Sequence, residues 1–154
     1  MIIRLFIIVL TLFMIQPVAF SAFPPEIVAA KTVDPSAIRF SQSNLRNSLP
    51  EITRSMGANG WQGAPIDVVR MADGGLTAVD NTRLAAASLT RTPVQATVRN
   101  FDEAFPASRA GGNLKGSTWG EAITNRIGGQ KPAWQRLYPS GSSFTGVHPT
   151  TGSF

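Results

Sequence analysis

The chain carries the stretch Pro65-Ile66-Asp67-Val68-Val69-Arg70-Met71-Ala72-Asp73-Gly74-Gly75-Leu76-Thr77-Ala78-Val79-Asp80. Two runs of β-forming residues lie on either side of an Asp-Gly turn in it, which predicts a β-hairpin. In the first run Asp67 points away from Ile66 and Val68, because successive side chains of a strand face opposite sides. Asp67 therefore faces either solvent or a polar cleft, and the pattern leaves both open.

Upstream of the hairpin the pattern predicts one strand and one helix. Ile38-Arg39-Phe40 alternates between apolar and basic residues, as a short strand does. Ser48-Leu49-Pro50-Glu51 has the form of a capping box, in which the Ser and Glu side chains each accept from a backbone amide of the first turn. Asn59-Gly60 then ends the helix.

Downstream of the hairpin a second helix and a further strand follow. Asp80 is placed to cap a helix from Arg83 to Leu89, whose Leu-Ala-Ala-Ala run has high helix propensity. Val94-Gln95-Ala96-Thr97-Val98 alternates as a strand. The order is β-α-β-β-α-β, so we predict a mixed α+β core over residues 38–99, preceded by an extended lead-in at residues 22–37.

A helical extension is predicted for residues 100–142. Thr118-Trp119-Gly120-Glu121 has the form of a second capping box and opens a helix that Gly128-Gly129 ends. Pro132 opens a further short helix that reaches Tyr138. From Pro139 onward the chain is expected to be irregular, with a flexible tail at residues 143–154.

Composition excludes several kinds of chemistry. The 154-residue chain has no Cys and one His, His148, which excludes disulfides, thiolate metal sites, cysteine nucleophiles and His-based zinc sites. Its 14 Lys and Arg against 9 Asp and Glu give a formal charge of +5. From residue 91 onward seven basic residues stand against three acidic ones. This excess favours a polyanionic partner, and a merely solvated surface is the alternative.

Residues 1–21 have the pattern of a secretory signal peptide. One positive charge precedes the apolar run from Leu5 to Ile15, and small side chains at Ala19 and Ser21 suit cleavage after Ser21. The run is shorter than the roughly 20 residues that span a bilayer. We therefore predict a secreted or periplasmic protein with no stable membrane anchor after cleavage, and an uncleaved anchor is the alternative.

The core resembles the ParB/sulfiredoxin-like fold. The resemblance is carried by Gly60-Trp61-Gln62-Gly63-Ala64-Pro65-Ile66-Asp67-Val68, by the Asp-Gly hairpin and by the Arg-Leu-x-Ala-Ala helix start at Arg83. More narrowly, Asp80-Asn81-Thr82-Arg83 is similar to the ParB-like C-terminal toxin modules of bacterial polymorphic toxins. Thr118-Trp119-Gly120-Glu121-Ala122-Ile123 and Tyr138-Pro139-x-Gly141-Ser142 resemble the segment that follows the core in those modules. The resemblance implies a nuclease-like toxin domain that acts on nucleic acid, with an immunity protein as a further partner.

Two departures from the wider family limit the chemistry. Partition proteins bind phosphates with a Gly-Glu-Arg-Arg sequence, of which this chain keeps only Arg83. We therefore do not expect it to bind nucleoside triphosphates as those proteins do. Sulfiredoxin activity needs a cysteine, which the chain lacks. What remains is a helix N-terminus that favours a phosphate. A cation at that positive end is unfavourable unless an anion or a carboxylate meets it, which makes Arg83 the strongest local indication of function.

The candidate site is built around the start of this helix. We expect four catalytic residues, with arginine stabilising phosphoryl oxygens and an acid acting as base or metal ligand: Arg83, Asp80, Glu121 and Asp67. We expect phosphate or nucleic-acid contacts from a second group: Asn81, Thr82, Arg126, Trp119 and Gln130. Structural alternatives exist for five of them, since Asp80 suits an N-cap, Asn81 and Thr82 a helix start, Glu121 a capping-box acid and Trp119 a core position.

Two functions remain open from the sequence. One is a secreted nuclease-like toxin domain, a phosphodiesterase if it is an enzyme, whose cofactor would be a divalent metal such as magnesium. The other is a non-catalytic secreted binding or interaction protein that keeps the fold without the chemistry. The loss of Glu and of the first Arg from the Gly-Glu-Arg-Arg sequence favours the non-catalytic binding protein. The Asp-Asn-Thr-Arg sequence at Asp80–Arg83 and the residues Trp119–Glu121 favour the nuclease-like toxin domain.

Overall fold

The computed structural model describes residues 29–145. The signal-peptide prediction for residues 1–21 and most of the predicted tail, residues 146–154, lie outside the described residues. Within the described range no helix combines the length and apolar character that crossing a membrane requires.

A five-stranded mixed sheet lies at the centre of the protein. Its strands are β1 (Lys31–Val33), β2 (Ile38–Phe40), β3 (Ile66–Arg70), β4 (Leu76–Ala78) and β5 (Val94–Arg99), in the spatial order β1-β5-β3-β4-β2. β3 and β4 form the predicted antiparallel hairpin, while β5 pairs with β3 and β2 with β4 in parallel. β1, antiparallel to β5, was not predicted, because it lies in the segment expected to be an extended lead-in.

Four helices accompany the sheet within residues 29–145: α1 (Leu49–Asn59), α2 (Asn81–Thr90), α3 (Trp119–Gly128) and α4 (Pro132–Leu137). From β2 to β5 the elements follow the predicted order β-α-β-β-α-β, and the mixed α+β class is confirmed. The extension is helical, as expected. The lead-in also holds a short 3₁₀ turn at Pro35–Ala37.

Two of the three predicted helix caps form. Asp80 accepts from Arg83 N, and α2 begins at Asn81, two residues earlier than the sequence suggested. Thr118 accepts from Glu121 N at the start of α3. The capping box predicted for α1 is wrong: the Ser48 side chain makes no bond to the first turn, because its own backbone is already helical, with φ −74° and ψ −3°.

The sheet is covered on both faces. One face buries Ile66 and Val68 in a core shared with α1 and α2. The opposite face buries Val69 and Met71 in a second core with α3 and α4. The alternation along β3 is therefore confirmed, but both of its sides are covered, and the extension supplies the second layer.

A C-terminal strap, residues 139–145, runs beside β2. Ser142 N donates to Phe40 O at 2.9 Å, and Phe40 N donates to Ser142 O at 2.6 Å. Thr77 Oγ1 donates to Ser140 O at 2.6 Å, and Thr145 Oγ1 donates to Ser43 O at 2.7 Å. This part of the chain is irregular, as predicted, but it is held to the sheet edge by hydrogen bonds and is not frayed.

Candidate anion-binding site

A cleft of about 620 Å³ opens at the start of α2. Its walls come from β3, from the start of α2, from the loop after β2, from the loop before α3 and from α3 itself. Six charged residues line it: Asp67, Asp80, Arg46, Arg83, Arg109 and Arg126. Sequence reasoning named four of these six, and the topology brings those four together.

Asn81 and Thr82 are engaged by contacts within the protein. The Asn81 side chain accepts from Ser41 N at 2.8 Å and donates to Ser41 Oγ at 3.0 Å. Thr82 Oγ1 accepts from Arg46 N at 3.3 Å. Both residues are buried. They tie the loop after β2 to α2, so they position the cleft wall.

Asp80 and Arg83 form an ion pair at the start of α2. Asp80 Oδ1 accepts from Arg83 N at 3.1 Å and Oδ2 accepts from Arg83 Nε at 2.8 Å. Arg83 Nη1 donates to Ala64 O at 2.6 Å, and its guanidinium lies 5.4 Å from the centre of the Trp61 ring. The carboxylate that a cation at this end of a helix requires is therefore Asp80 itself.

Asp67 faces the polar cleft and is only 8% exposed, which decides the question that the sequence left open. Arg99 Nε donates to its Oδ1 at 2.9 Å, and Arg109 Nη2 donates to its Oδ2. Both carboxylate oxygens are thus bound by arginines. Asp67 anchors the cleft wall, and neither oxygen is free to act as the base or metal ligand that the sequence suggested.

Trp119 lies in the core beneath these arginines. It is 2% exposed, and Phe105 packs against it edge to face at 4.9 Å between ring centres. The guanidinium groups of Arg99 and Arg109 lie 5.1 Å and 5.9 Å from the centre of its ring. Such cation–π contacts hold the two arginines in place. A ring so deeply buried cannot stack on a nucleic-acid base, so its role is to position the partners of Asp67.

Arg126 reaches from α3 into the cleft. It is half-buried, and its Nη1 donates to Val79 O at 2.5 Å. Burial lowers the pKa of Arg126 and nearby Arg46 lowers it further, while Asp80 acts in the opposite direction. Across residues 29–145, neither Arg126 nor Arg46 forms an ion pair with a carboxylate.

Glu121 and Gln130 do not line the cleft. The Glu121 carboxylate accepts from Ser117 N at 2.8 Å, so it caps the chain at the start of α3. Gln130 Oε1 accepts from Ser43 N and from Ser43 Oγ, each at 3.1 Å, and thereby holds the loop after β2. The expectation that these side chains join Arg83 at one site is not met.

Sequence reasoning missed Arg46 and Arg109 as site residues. Arg46 lies in an irregular loop, and Arg109 in a 3₁₀ turn at Ala107–Arg109 within a Gly-bearing segment. Neither stands in a recognisable motif, so their positive charge was the only signal in the sequence. Tertiary structure alone brings them to the same cleft as Arg83 and Arg126.

The cleft offers few ligands for a metal. Nowhere in the described range do three Asp, Glu or His side chains lie close enough together to hold a metal ion. The two carboxylates that line the cleft, Asp67 and Asp80, each form an ion pair with arginine. Of these two, Asp80 is the more exposed, with 37% of its side chain accessible against 10% for Asp67.

Comparisons with known proteins give no assignment for this site. No protein-family model matches the chain, and a search of curated proteins finds no significant match.

Proposed function

We propose that this protein is a small basic secreted protein whose ParB-like, toxin-type domain binds a phosphate-bearing ligand, with nucleic acid as the foremost candidate. One observation carries the proposal: four arginines share a cleft with two aspartates. Two of those arginines, Arg46 and Arg126, have no carboxylate partner among residues 29–145. Guanidinium groups suit phosphate because their planar forks donate two parallel hydrogen bonds.

The proposed fold family has support from the order of the elements. The strand, helix, hairpin, helix and strand from β2 to β5 follow the order expected of a ParB/sulfiredoxin-like core. The residues that resemble the toxin modules lie at the helix start that borders the cleft, at the start of α3 and in the strap. The proposed export rests on the pattern of residues 1–21.

Binding is favoured over hydrolysis by the state of the carboxylates. Asp67 and Asp80 are held by arginines, and Glu121 lies away from the cleft. Cleavage of a phosphodiester is the second candidate function. It is supported by Asp80, whose side chain lines the cleft and retains 37% exposure, enough to contact a metal ion or a water molecule.

The proposal is tested by titrating labelled single-stranded DNA and RNA with the chain starting at Ala22, at several salt concentrations. Each arginine that contacts a phosphate adds about one to the slope of log affinity against log salt. We expect Arg126→Gln to weaken binding and to lower that slope by about one. The control is Arg136→Gln, which removes an exposed cation of α4 outside the cleft.

Equal losses in the two variants would contradict the assignment of the cleft, and absence of binding by the wild-type chain at low salt would contradict the function. The same samples, incubated with magnesium and plasmid or total RNA, distinguish binding from cleavage. Nuclease activity requires that wild-type protein degrade the substrate and that Asp80→Asn protein do so more slowly.

A further inference from the structure

The charges of the cleft divide into paired and unpaired groups. Arg83 pairs with Asp80, with Nε and Oδ2 2.8 Å apart, and Arg109 pairs with Asp67. Arg99 also pairs with Asp67 and with Glu103, so these three arginines are balanced by three carboxylates. The positive charge left for a ligand is therefore that of Arg46 and Arg126, two unit charges, as far as residues 29–145 show.

The two unpaired arginines are held on different parts of the cleft wall. Arg126 is carried by α3 and fixed at one nitrogen by Val79 O. Arg46 lies in the loop after β2, whose position is set by the bond from Arg46 N to Thr82 Oγ1. Its side chain is exposed and makes no bond to any described residue that would draw it out of the cleft.

These two cations interact with each other. Burial is the main reason that the pKa of Arg126 is lowered; Asp80 opposes it, and the charge of Arg46 lowers the pKa by a smaller amount. Two like charges at one site are unfavourable in the empty cleft. An anion between them removes that cost, and the gain is greatest for an anion whose charge matches both.

Phosphate groups differ in the amount of negative charge that they carry. A phosphate monoester carries a charge of about −1.5 to −2 near neutral pH, as known for phosphorylated side chains. An internal phosphodiester of a nucleic acid carries a single negative charge, so it would leave one of the two arginines uncompensated.

We propose that Arg46 and Arg126 form a clamp for a phosphate monoester, so that the cleft prefers the terminal phosphate of a nucleotide or of a nucleic-acid end to an internal phosphodiester. The inference rests on the proposed function and narrows its ligand class. Arg83 and Arg109, each held by its aspartate, line the site but do not supply the selectivity.

The test compares two short oligonucleotides of the same sequence, one with a 5′-phosphate and one with a 5′-hydroxyl, by titration against the chain starting at Ala22. We expect the phosphorylated form to bind about tenfold more tightly, which is the effect of about 1.4 kcal/mol. Arg46→Gln and Arg126→Gln are each expected to reduce that preference to about twofold or less, because each removes one of the two cations that the second charge of the monoester requires.

Arg54→Gln and Arg136→Gln are the matched controls, because they remove exposed cations of α1 and α4 outside the cleft. They should keep the full preference for the phosphorylated oligonucleotide. Arg46→Gln also serves as the folding control, since its exposed side chain bonds to no described residue. If Arg126→Gln fails to fold through loss of its bond to Val79 O, Arg46→Gln alone decides the matter.

The outcomes separate the two proposals. Equal affinity of wild-type protein for both oligonucleotides would overturn the clamp and leave the proposed function standing, whereas no binding of either would overturn both. Competition by a 5′-mononucleotide distinguishes the sources of the monoester. Strong competition would show that a single nucleotide with its phosphate is enough to fill the site. Weak competition would show that the site requires the phosphorylated end of a nucleic acid. Both outcomes support the clamp.

Discussion

Four consecutive side chains at the start of α2 each serve the fold and the cleft together. Asp80 caps the helix and binds Arg83, while Asn81 and Thr82 hold the loop after β2. Buried hydrogen-bonding groups of this kind are costly to leave unmade, by about 1–3 kcal/mol each. The tetrad therefore builds the cleft wall, and the unpaired charge comes from arginines elsewhere in the chain.

Another ion pair lies at the hairpin. Arg39 Nη1 and Nη2 donate to the two carboxylate oxygens of Asp73, each at 2.7 Å. The hydrogen bond from Arg39 is the main reason that the pKa of Asp73 is lowered below its ordinary value, and burial opposes it. A carboxyl whose pKa is lower in the folded state stabilises the fold above its unfolded pKa, and that stabilisation is lost as the pH falls.

We expect Asp73→Asn to lower the free energy of unfolding at pH 7 by up to about 1 kcal/mol, because the pair is partly exposed and screened by solvent. The difference from wild type should shrink as the pH falls below about 4, the unfolded pKa of Asp. Urea unfolding at several pH values measures it. The control is Asp102→Asn, an exposed residue that forms no ion pair within residues 29–145, and a pH-independent difference for Asp73→Asn would contradict the prediction.

At the scale of elements, the strap depends on one glycine. Gly141 has φ +99°, and a Cβ at this position would lie 2.8 Å from Phe40 O and 2.9 Å from Thr77 Cγ2. We expect Gly141→Ala to destabilise the protein by about 2 kcal/mol or more, since backbone strain and a clash with the backbone add together. Thermal unfolding measures the loss, and faster hydrogen exchange at Phe40 N, which donates to Ser142 O, shows that the strap has separated from β2.

Gly112→Ala is the matched control for the strap. Gly112 also has a positive φ, +55°, but nothing lies within 4 Å of its added Cβ. It should cost only about 1 kcal/mol, the penalty for a side chain in the left-handed region. Equal losses in the two variants would show that the clash at Gly141 has no effect.

The helix α3 also has two roles, one on each of its sides. Trp119, Ala122, Ile123 and Ile127 are buried in the second core. Arg126, on the same helix, lines the cleft instead. The extension after β5 thus contributes both to stability and to the proposed site.

At the scale of the whole molecule, the sheet requires a layer on each face. A chain ending at Asn100 keeps all five strands but loses α3, α4 and the strap. It would expose Val69 and Met71, which are 0% and 4% exposed in the intact protein, and burial of such a side chain contributes about 1.5–3 kcal/mol. We expect the shortened chain to lack a cooperative unfolding transition by circular dichroism and to aggregate. A cooperative transition would show that the core folds without the extension.

Much of the local structure was predictable because it depends on neighbouring residues. The Asp-Gly hairpin and the Asp80 cap form as predicted, and so does the alternation of Ile66 and Val68 with Asp67. The strand β1 was missed because its signal is the partner β5, which lies more than sixty residues away along the chain. The Ser48 cap failed because the backbone of Ser48 is itself helical, which no local pattern revealed.

For the site, too, the sequence predicted local features better than contacts between distant segments. Sequence reasoning found Arg83, Asp80, Asp67 and Arg126, because the first three lie at strand and helix ends and the fourth lies in a recognisable segment. It placed Glu121, Trp119 and Gln130 at the same site, although their contacts are a cap, a core position and a loop anchor. Which polar side chain meets which partner depends on packing between distant segments, so residue type alone did not decide it.

The sequence by itself determined the mixed α+β class, the hairpin and the second helix with its Asp cap, because turn geometry, alternation and capping act over a few residues. Only the tertiary structure decided which charges cancel. It paired Arg83 with Asp80 and Asp67 with two other arginines, and it left Arg46 and Arg126 without a carboxylate among the described residues. Charge pairing acts through space and falls off with distance, so it is fixed only when the chain has folded.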